Sequence, residues 1–186
     1  MAGTGKGIKQ RYIMRRVQLF IAASLDGFIA SPDGDIGWLF MDADYGYTQF
    51  YAGVDTVILG RKTYDLCLTF HQWPYLGKEA VVVSRSLAGK RNHQARFVDT
   101  PPAELVRQLR QLPGKHLWLV GGGQLVRDFL AADLIDDFIL SLHPIVLGSG
   151  IPLFLPQPHP TWLQLADCQS FESGLVQIHY RRERAG

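Results

Sequence analysis

Cysteine is scarce in this sequence, and the spacing patterns of metal sites are missing. Only Cys67 and Cys168 occur among the 186 residues, and they do not form a C-x-x-C pair. A disulfide scaffold and a zinc site are therefore not expected. None of the six histidines lies in the H-x-x-x-H or H-E-x-x-H spacing that binds a catalytic zinc. We therefore predict no metal site.

An excess of charge of one sign is also lacking. Nineteen Lys and Arg against seventeen Asp and Glu leave a formal net charge of +2. So small an excess predicts neither a nucleic-acid partner nor a membrane-surface partner. The apolar runs are too short to span a bilayer, and the basic first sixteen residues lack the apolar core that a signal peptide needs. We expect a cytoplasmic protein.

Length and composition predict one globular domain. A chain of 186 residues can bury a substantial core but is short for two domains. Apolar residues make up 47% of the chain and charged residues 19%, which differs from the charge-rich composition of a disordered protein. Residues 1–13 are mostly polar or Gly, so we predict a mobile N-terminal arm followed by one domain over residues 14–186.

Short apolar runs alternate with helical patterns through most of the chain. The runs that predict strands are residues 17–23, 56–59, 80–83 and 116–120. Apolar residues three and four apart predict helices over residues 102–112 and 124–134. This alternation favours an α/β domain with a mostly parallel central sheet and helices on both faces. The last third has no helical pattern between its strands, so we expect antiparallel C-terminal strands at residues 138–142, 162–171 and 175–182.

Three predicted strands are followed by residues suited to phosphate. Residues 60–64 (Gly-Arg-Lys-Thr-Tyr) open a predicted helix and combine a glycine, two cations and a hydroxyl, although a glycine turn with exposed basic residues is an equal alternative. Residues 84–86 (Ser-Arg-Ser) by themselves are more simply a capped strand end. Gly121-Gly122-Gly123 precedes a helix and would let an anion approach the backbone, or is only a helix-entry turn. Parallel strand ends share one crevice, so the three segments together predict a dinucleotide site, without the G-x-G-x-x-G fingerprint.

Four short motifs in this order and spacing resemble the dihydrofolate reductase superfamily. They are residues 21–27, 59–64, 83–85 and 120–123. Residues 148–154 (Gly-Ser-Gly-Ile-Pro-Leu-Phe) are similar to the reductase domain at the C-terminal end of the bifunctional riboflavin-biosynthesis protein. The resemblance extends over residues 17–182 and implies NADPH as the hydride donor.

The resemblance also implies which residues bind NADPH. Residues 23 and 35–38 would lie beside the nicotinamide, residues 61–63 with help from 84 and 85 would hold the adenosine-side phosphates, and residues 122 and 123 would meet the pyrophosphate. The residues assigned to the cofactor in this way are Ala23, Ile36, Gly37, Gly60, Arg61, Lys62, Thr63, Ser84, Arg85, Gly121, Gly122, Gly123, Gln124 and Leu125.

Trp38 and Lys78 are assigned to the substrate on the same grounds. Folate enzymes of the superfamily carry an arginine shortly before the third motif strand, and Lys78 stands at that position. Lysine cannot form the two-pronged pair with a carboxylate, so a smaller pyrimidine, pterin or other conjugated heterocycle is expected in place of folate. Alternatively, Lys78 is only a solvated loop charge.

Asp44 is the candidate catalytic residue. It stands sixteen residues before Gly60, where the resemblance places an acid that faces the substrate. Burial in a mostly apolar crevice would raise its pKa toward the working pH. Asp44 is otherwise a helix-start residue, and Asp42 is an equally good capping candidate. The loop aromatics of residues 73–75 either close over a flat substrate or anchor the loop by packing.

Two functions are consistent with these residues. The first is an NADPH-dependent reductase of a small pyrimidine-like or pterin-like heterocycle that works as a homodimer, since the domains it resembles pair. The second is a nucleotide-binding sensor or scaffold that has kept the cofactor crevice without turnover. Only the reductase predicts a substrate-dependent loss of NADPH absorbance.

Overall fold

Parallel strand pairing dominates this protein, whose computed structural model describes residues 14–183. The predicted mobile arm of residues 1–13 lies outside the described residues. In chain order, the strands and helices are β1 (Val17–Ser24), β2 (Phe28–Ala30), α1 (Tyr47–Gly53), β3 (Val54–Gly60), α2 (Arg61–Cys67), β4 (Glu79–Val83), β5 (Ala95–Val98), α3 (Pro102–Gln111), β6 (His116–Gly121), α4 (Gly123–Ala131), β7 (Asp137–His143), β8 (Ile151–Pro152), β9 (Leu163–Ser170) and β10 (Val176–Arg182).

The main sheet has eight strands in the order β5-β4-β3-β6-β1-β7-β10-β9. The first six strands of this order run parallel to one another. β10 runs antiparallel to both β7 and β9. The predicted α/β domain with a mostly parallel sheet and antiparallel C-terminal strands is confirmed.

Each face of the sheet carries its own hydrophobic core. On one face, Leu19 of β1 packs in a cluster with Leu105 of α3 and Phe129 of α4. On the other face, Leu59 of β3 belongs to a second cluster that Tyr64 of α2 joins. Helices therefore cover both faces, and this explains why the central strands are continuous apolar runs instead of alternating ones.

The helix predicted over residues 124–134 ends earlier than its apolar pattern. α4 stops at Ala131 because Asp133 adopts a left-handed φ of 67°. The Leu134 N–H then donates to the Phe129 carbonyl at 3.0 Å, which is the bond of a Schellman C-terminal motif. Leu134 still packs against the core, so the pattern marks burial beyond the helix end.

Four short elements were not predicted. α1 packs half-buried aromatic side chains such as Phe50 against the second cluster and has no aliphatic periodicity. β5 has four residues, and β2 and β8 form a separate two-stranded sheet of three and two residues. Trp73 and Tyr75 belong to the second core cluster, where Trp73 packs edge-on against Tyr75 at 5.4 Å between ring centroids. Packing is therefore the role that the structure gives these loop aromatics.

Candidate active site

The carboxyl ends of β4, β3, β6 and β1 form one continuous edge of the sheet. Ser84 follows β4, Gly60 ends β3, Gly121 ends β6, and Ala23 is the penultimate residue of β1. Neighbouring strands are about 4.8 Å apart, so this row of four is about 15 Å long. The structure thus brings the three predicted phosphate segments and Ala23 to the same edge, with Ala23 at one end and Ser84 at the other.

The glycine turn after β6 packs directly against the segment after β3. A Cβ on Gly60 would lie 3.5 Å from the carbonyl oxygen of Gly121, and a Cβ on Gly122 would lie 3.3 Å from Thr63 Oγ1. Gly121 and Gly122 have φ values of 120° and 34°, which favour glycine. Side chains at these positions would strain the turn or displace its neighbour.

α4 begins at this turn without a side-chain cap. Its N-cap residue is Gly122, and no side chain accepts from the first backbone N–H groups of the helix. Those N–H groups have no partner within the helix. The side chain of Gln124 bonds to Asp128 at 3.0 Å and that of Leu125 is buried in the core. Gln124 and Leu125 therefore offer backbone N–H groups to an anion, at the positive end of the helix dipole.

Basic side chains gather at the β4 and β3 end of the row. Arg61 is paired with Asp65 one turn along α2, with 2.7 Å from Nε to the carboxylate. Lys62 and Arg85 are exposed, and the ion pairs described for residues 14–183 include neither. Ser84 is buried, with its hydroxyl 3.3 Å from that of Ser86. Two cations thus remain available for a phosphate.

Residues 35–40 lie in the loop between β2 and α1, and Trp38 packs on His143 of β7, beside the β1 end of the row. The Gly37 N–H donates to the Asp35 carboxylate at 3.1 Å, and the Trp38 indole packs edge-on against His143 at 5.3 Å between ring centroids. Trp38 Nε1 is the one buried side-chain nitrogen or oxygen within residues 14–183 that has no hydrogen-bond partner. An unpaired buried N–H is costly, so an acceptor that reached this indole would stabilise it.

His143 was missed by the sequence analysis. It is 3% exposed and pairs in register with Ser24 across β7 and β1. Its Nε2 accepts the Phe40 N–H at 3.1 Å, and its Nδ1 lies 3.2 Å from the Ser141 carbonyl oxygen. Burial lowers the pKa of His143 below its ordinary value. The available signal was its position directly after the predicted strand of residues 138–142.

Asp26 ties the turn after β1 to the segment that resembles the riboflavin reductase. Its carboxylate accepts from the Ser24 hydroxyl at 2.6 Å and from the N–H of Gly148 at 2.8 Å. The Leu153 N–H donates to the Gly27 carbonyl at 2.9 Å, and a Cβ on Gly123 would lie 2.9 Å from the Pro152 carbonyl oxygen. The segment of residues 148–154 therefore closes against both β1 and the start of α4.

Asp44 lies in the turn that leads into α1. It is exposed, and its Oδ1 accepts both the backbone N–H of Thr48 at 2.9 Å and the Thr48 hydroxyl at 2.5 Å. These two hydrogen bonds from Thr48 lower the pKa of Asp44. The expectation of a pKa raised by burial is wrong, because the carboxylate stays in water and receives donors. Asp42, the alternative acid, is also exposed and accepts from the Tyr45 hydroxyl at 2.7 Å.

Lys78 is not brought to this edge. It directly precedes β4 and so lies at the amino end of that strand, whereas Ser84 follows the carboxyl end. Its ammonium donates to the Tyr51 carbonyl at 2.7 Å and to the Val54 carbonyl at 2.8 Å, and it lies 4.0 Å from the Tyr51 ring centroid. The lysine therefore caps the C-terminal end of α1, and we leave it out of the site.

Residues 14–183 contain neither a group of metal ligands nor a membrane-spanning helix. Over residues 14–183, no three His, Cys, Asp or Glu side chains are grouped so that they could hold a metal ion. No helix in that part of the chain is both long and apolar enough to cross a membrane.

Sequence comparison matches this chain to one family and to two bacterial proteins. The model of the RibD C-terminal domain matches residues 15–177. Uncharacterized protein YwjB of Bacillus subtilis (strain 168) is 41% identical over 172 residues, which cover 90% of this chain and 98% of that protein. Uncharacterized protein YyaP of the same strain is 36% identical over 177 residues, which cover 89% and 94%.

Solved structures show the same fold. A protein of Shewanella sp. PV-4 named for riboflavin biosynthesis matches with a TM-score of 0.83 at 29% identity, over 91% of this chain and 99% of that one. A Thermotoga maritima protein, named a diaminohydroxyphosphoribosylaminopyrimidine deaminase/5-amino-6-(5-phosphoribosylamino)uracil reductase, matches with a TM-score of 0.73 at 17% identity. That match covers 91% of this chain but 57% of the Thermotoga chain. The resemblance predicted from the sequence is confirmed.

Proposed function

We propose that this chain, which belongs to the family of the RibD C-terminal domain, is an NADPH-dependent reductase of a small conjugated heterocycle. The observation that carries the proposal is the single row of strand ends at the carboxyl edge. Bare glycine backbone lies at its centre and cations lie toward one end. Trp38, at the other end, has an unpaired indole N–H.

The residues along the row suit the parts of NADPH in order. The turn at Gly121 and Gly122 has no side chain to keep a pyrophosphate from the N–H groups of α4. Thr63 adds a hydroxyl beside Gly122, and the exposed Lys62 and Arg85 would pair with a 2′-phosphate. The row of about 15 Å leaves room for phosphates at one end and a nicotinamide near Ala23 at the other.

Binding NADPH at this row would supply a hydride to an unsaturated ring carbon or imine of the substrate, and the adjoining nitrogen would take a proton. Ala23, Ile36 and Gly37 would orient the nicotinamide, since β1 and the loop that carries residues 35–40 meet at this end. Trp38 Nε1 would donate to a carbonyl or ring nitrogen of the substrate, and so gain the partner that it lacks.

Asp44 is the carboxylate that we assign to the substrate ring. Its lowered pKa makes it an ionised acceptor at neutral pH. In that form it would hold ring N–H donors in place, and the exposure of its turn would let the proton come from water. The proposed role is thus anchoring of the ring.

We propose a pyrimidine or pterin and not folate as the substrate. The capping role of Lys78 removes the argument that rested on that residue. The remaining support is the segment of residues 148–154, which resembles the riboflavin reductase and closes beside the glycine turn. We further propose a cytoplasmic homodimer, which light scattering at micromolar concentration would test.

One observation favours the second candidate, a nucleotide-binding protein without turnover. The carboxylate assigned to the substrate is exposed and ionised, so the described site contains no acid poised by burial. The two candidates separate when NADPH binding and NADPH oxidation are measured on one sample, with dihydrofolate, a dihydropterin and a ribosylaminopyrimidine as trial substrates. Binding with oxidation supports the reductase, and binding without oxidation supports the sensor or scaffold.

A further inference from the structure

Among the described hydrogen bonds, a single side chain joins the loop that carries Trp38 to the sheet. Its own hydrogen bonds are local, from Ser31 N–H to the Asp35 carbonyl at 3.0 Å and from Leu39 N–H to the Ile36 carbonyl at 3.1 Å. Among the hydrogen bonds described for residues 31–41, the one that reaches the sheet runs from the Phe40 N–H to His143 Nε2. The position of the loop relative to β1 and β7 therefore depends on that imidazole.

The surroundings of His143 select one tautomer. Nε2 must carry a lone pair to accept the Phe40 N–H, so Nδ1 carries the proton and points to the Ser141 carbonyl at 3.2 Å. Trp38 and Phe40 pack on the ring at 5.3 and 5.0 Å between centroids. The neutral ring is thus both the hydrogen-bond acceptor and the packing surface for the loop.

We propose that His143 is a positioning residue whose neutral imidazole holds the Trp38–Phe40 segment on β7 and so fixes the indole N–H at the substrate end of the site. This role deepens the proposed reductase function, and its importance for turnover rests on that function. The attachment itself requires neither cofactor nor substrate.

Protonation of His143 would release the loop. A proton on Nε2 would face the Phe40 N–H, so one donor would meet another and a buried charge would remain. Burial lowers the pKa of His143, and the carbonyls of Ser141 and Ala23 oppose that shift. The ordered loop is therefore stable above the ordinary histidine pKa of 6.5 and loses stability as the pH falls below it.

The charged groups on the elements around the ring already have partners. Asp26, in the turn after β1, accepts from Ser24 and Gly148, and Asp42, at the end of the loop, accepts from Tyr45. Within the loop, Asp33 and Asp35 accept backbone N–H groups of the loop itself. The elements that face the ring contribute the Trp38 and Phe40 side chains and backbone carbonyls. No described hydrogen bond joins a carboxylate to the His143 ring, so the titration of the imidazole decides whether the Phe40 bond forms.

Hydrogen exchange at residues 36–41, followed by mass spectrometry on the free protein, tests the proposal. His143→Phe keeps a ring of similar size but removes the acceptor, and His143→Gln offers an amide oxygen that does not titrate. We expect exchange in His143→Phe to be about 2- to 10-fold faster than in the native protein at neutral pH. In the native protein, exchange corrected for its intrinsic pH dependence should accelerate below pH 6.5, whereas His143→Gln should show no such step.

Two results would overturn the proposal: native protection in His143→Phe, or a pH step that persists in His143→Gln. His159→Gln, at an exposed histidine, is the control and should keep the native pH step. If His143→Phe does not fold, the native pH series and His143→Gln still decide. Since no substrate is used, failure here is distinct from a failure to oxidise NADPH.

Discussion

The carbonyl oxygen of Gly121 lies 3.5 Å from the place that a Cβ on Gly60 would occupy. Two parallel strands, β3 and β6, therefore end in bare backbone side by side, in the middle of the row that we assign to NADPH. Gly121 has a φ of 120°, which favours glycine, whereas a Cβ on Gly60 would meet the Gly121 carbonyl at ordinary van der Waals distance. The turn also indicates where one added methyl group should weaken NADPH binding more than it reduces the stability of the fold.

Gly122→Ala should weaken NADPH binding by at least about tenfold, which corresponds to 1.4 kcal/mol. The added methyl would meet Thr63 Oγ1 at 3.3 Å, and a φ of 34° is unfavourable for alanine. Gly77→Ala is the matched control, because its φ is 74° and nothing lies within 4 Å of the added Cβ. Calorimetric titration should show weaker binding in the first variant only. Equal affinities would mean that the glycine turn does not contact the cofactor.

Arg85→Ala should reduce the preference for NADPH over NADH. A charge-assisted hydrogen bond contributes roughly 1.5–3 kcal/mol, so the loss of one from a 2′-phosphate should cost about tenfold or more in NADPH affinity and little in NADH affinity. Arg107→Ala removes the same charge from α3, where Arg107 is paired with Glu104, and serves as the control. An unchanged ratio of the two dissociation constants in Arg85→Ala would place the 2′-phosphate elsewhere, and Lys62→Ala would be examined next.

Asp44→Asn should lower turnover by about 10- to 150-fold with NADPH affinity little changed, because the charge-assisted hydrogen bonds that anchor the reacting ring contribute roughly 1.5–3 kcal/mol each. Asparagine keeps an oxygen that can accept from Thr48, so the turn into α1 should persist. The lowered pKa also predicts that Asp44 contributes no titration step near neutral pH. Normal turnover in the variant would shift the role to Asp42.

Asp137 should contribute to stability at neutral pH and lose that contribution in acid. Its carboxylate is 3% exposed. Burial alone would raise its pKa, but hydrogen bonds from His179 and Arg16 bring it down to about 2. A folded-state pKa below the ordinary 3.8 means that this stability is present above pH 3.8 and is lost as the pH falls to about 2. The shift corresponds to about 2 kcal/mol.

Urea unfolding of Asp137→Asn at neutral pH and near pH 2 measures this contribution. The gap in unfolding free energy between variant and native protein should narrow in acid. Glu104→Gln is the control, because the pKa of Glu104 is also lowered to about 2 by Arg107 and Gln108, but on the exposed surface. A gap that does not change with pH would show that Asp137 acts through its shape and not its charge.

The sequence predicted most of the architecture because its long elements have strong periodicity. The runs at β1, β3, β4 and β6 are apolar since both faces of the sheet are covered, and β3 and β6 each end in a glycine, of which Gly121 has a φ of 120° that favours glycine. α1 was missed because aromatic side chains replace the aliphatic pattern.

The site was harder to predict where contacts join distant segments. His143 contacts Phe40 across 103 residues, and Lys78 caps a helix that ends 25 residues earlier, at Gly53. No local sequence pattern shows that residues so far apart in the chain are in contact. The environment of Asp44 could likewise not be predicted, because its lowered pKa depends on how the turn places the Thr48 donors beside the carboxylate.

Oxidation of NADPH by the purified protein, followed by absorbance with and without a heterocyclic substrate, is the most direct test of the proposed function. We predict loss of NADPH absorbance with a ribosylaminopyrimidine or a dihydropterin, slower oxidation of NADH by at least about tenfold, and a kcat/KM for dihydrofolate below about 10⁴ M⁻¹s⁻¹. Tight NADPH binding with no oxidation of NADPH in the presence of any of these heterocycles would contradict the proposed reductase function. Dihydrofolate turnover above that limit would contradict the proposed branch of the family.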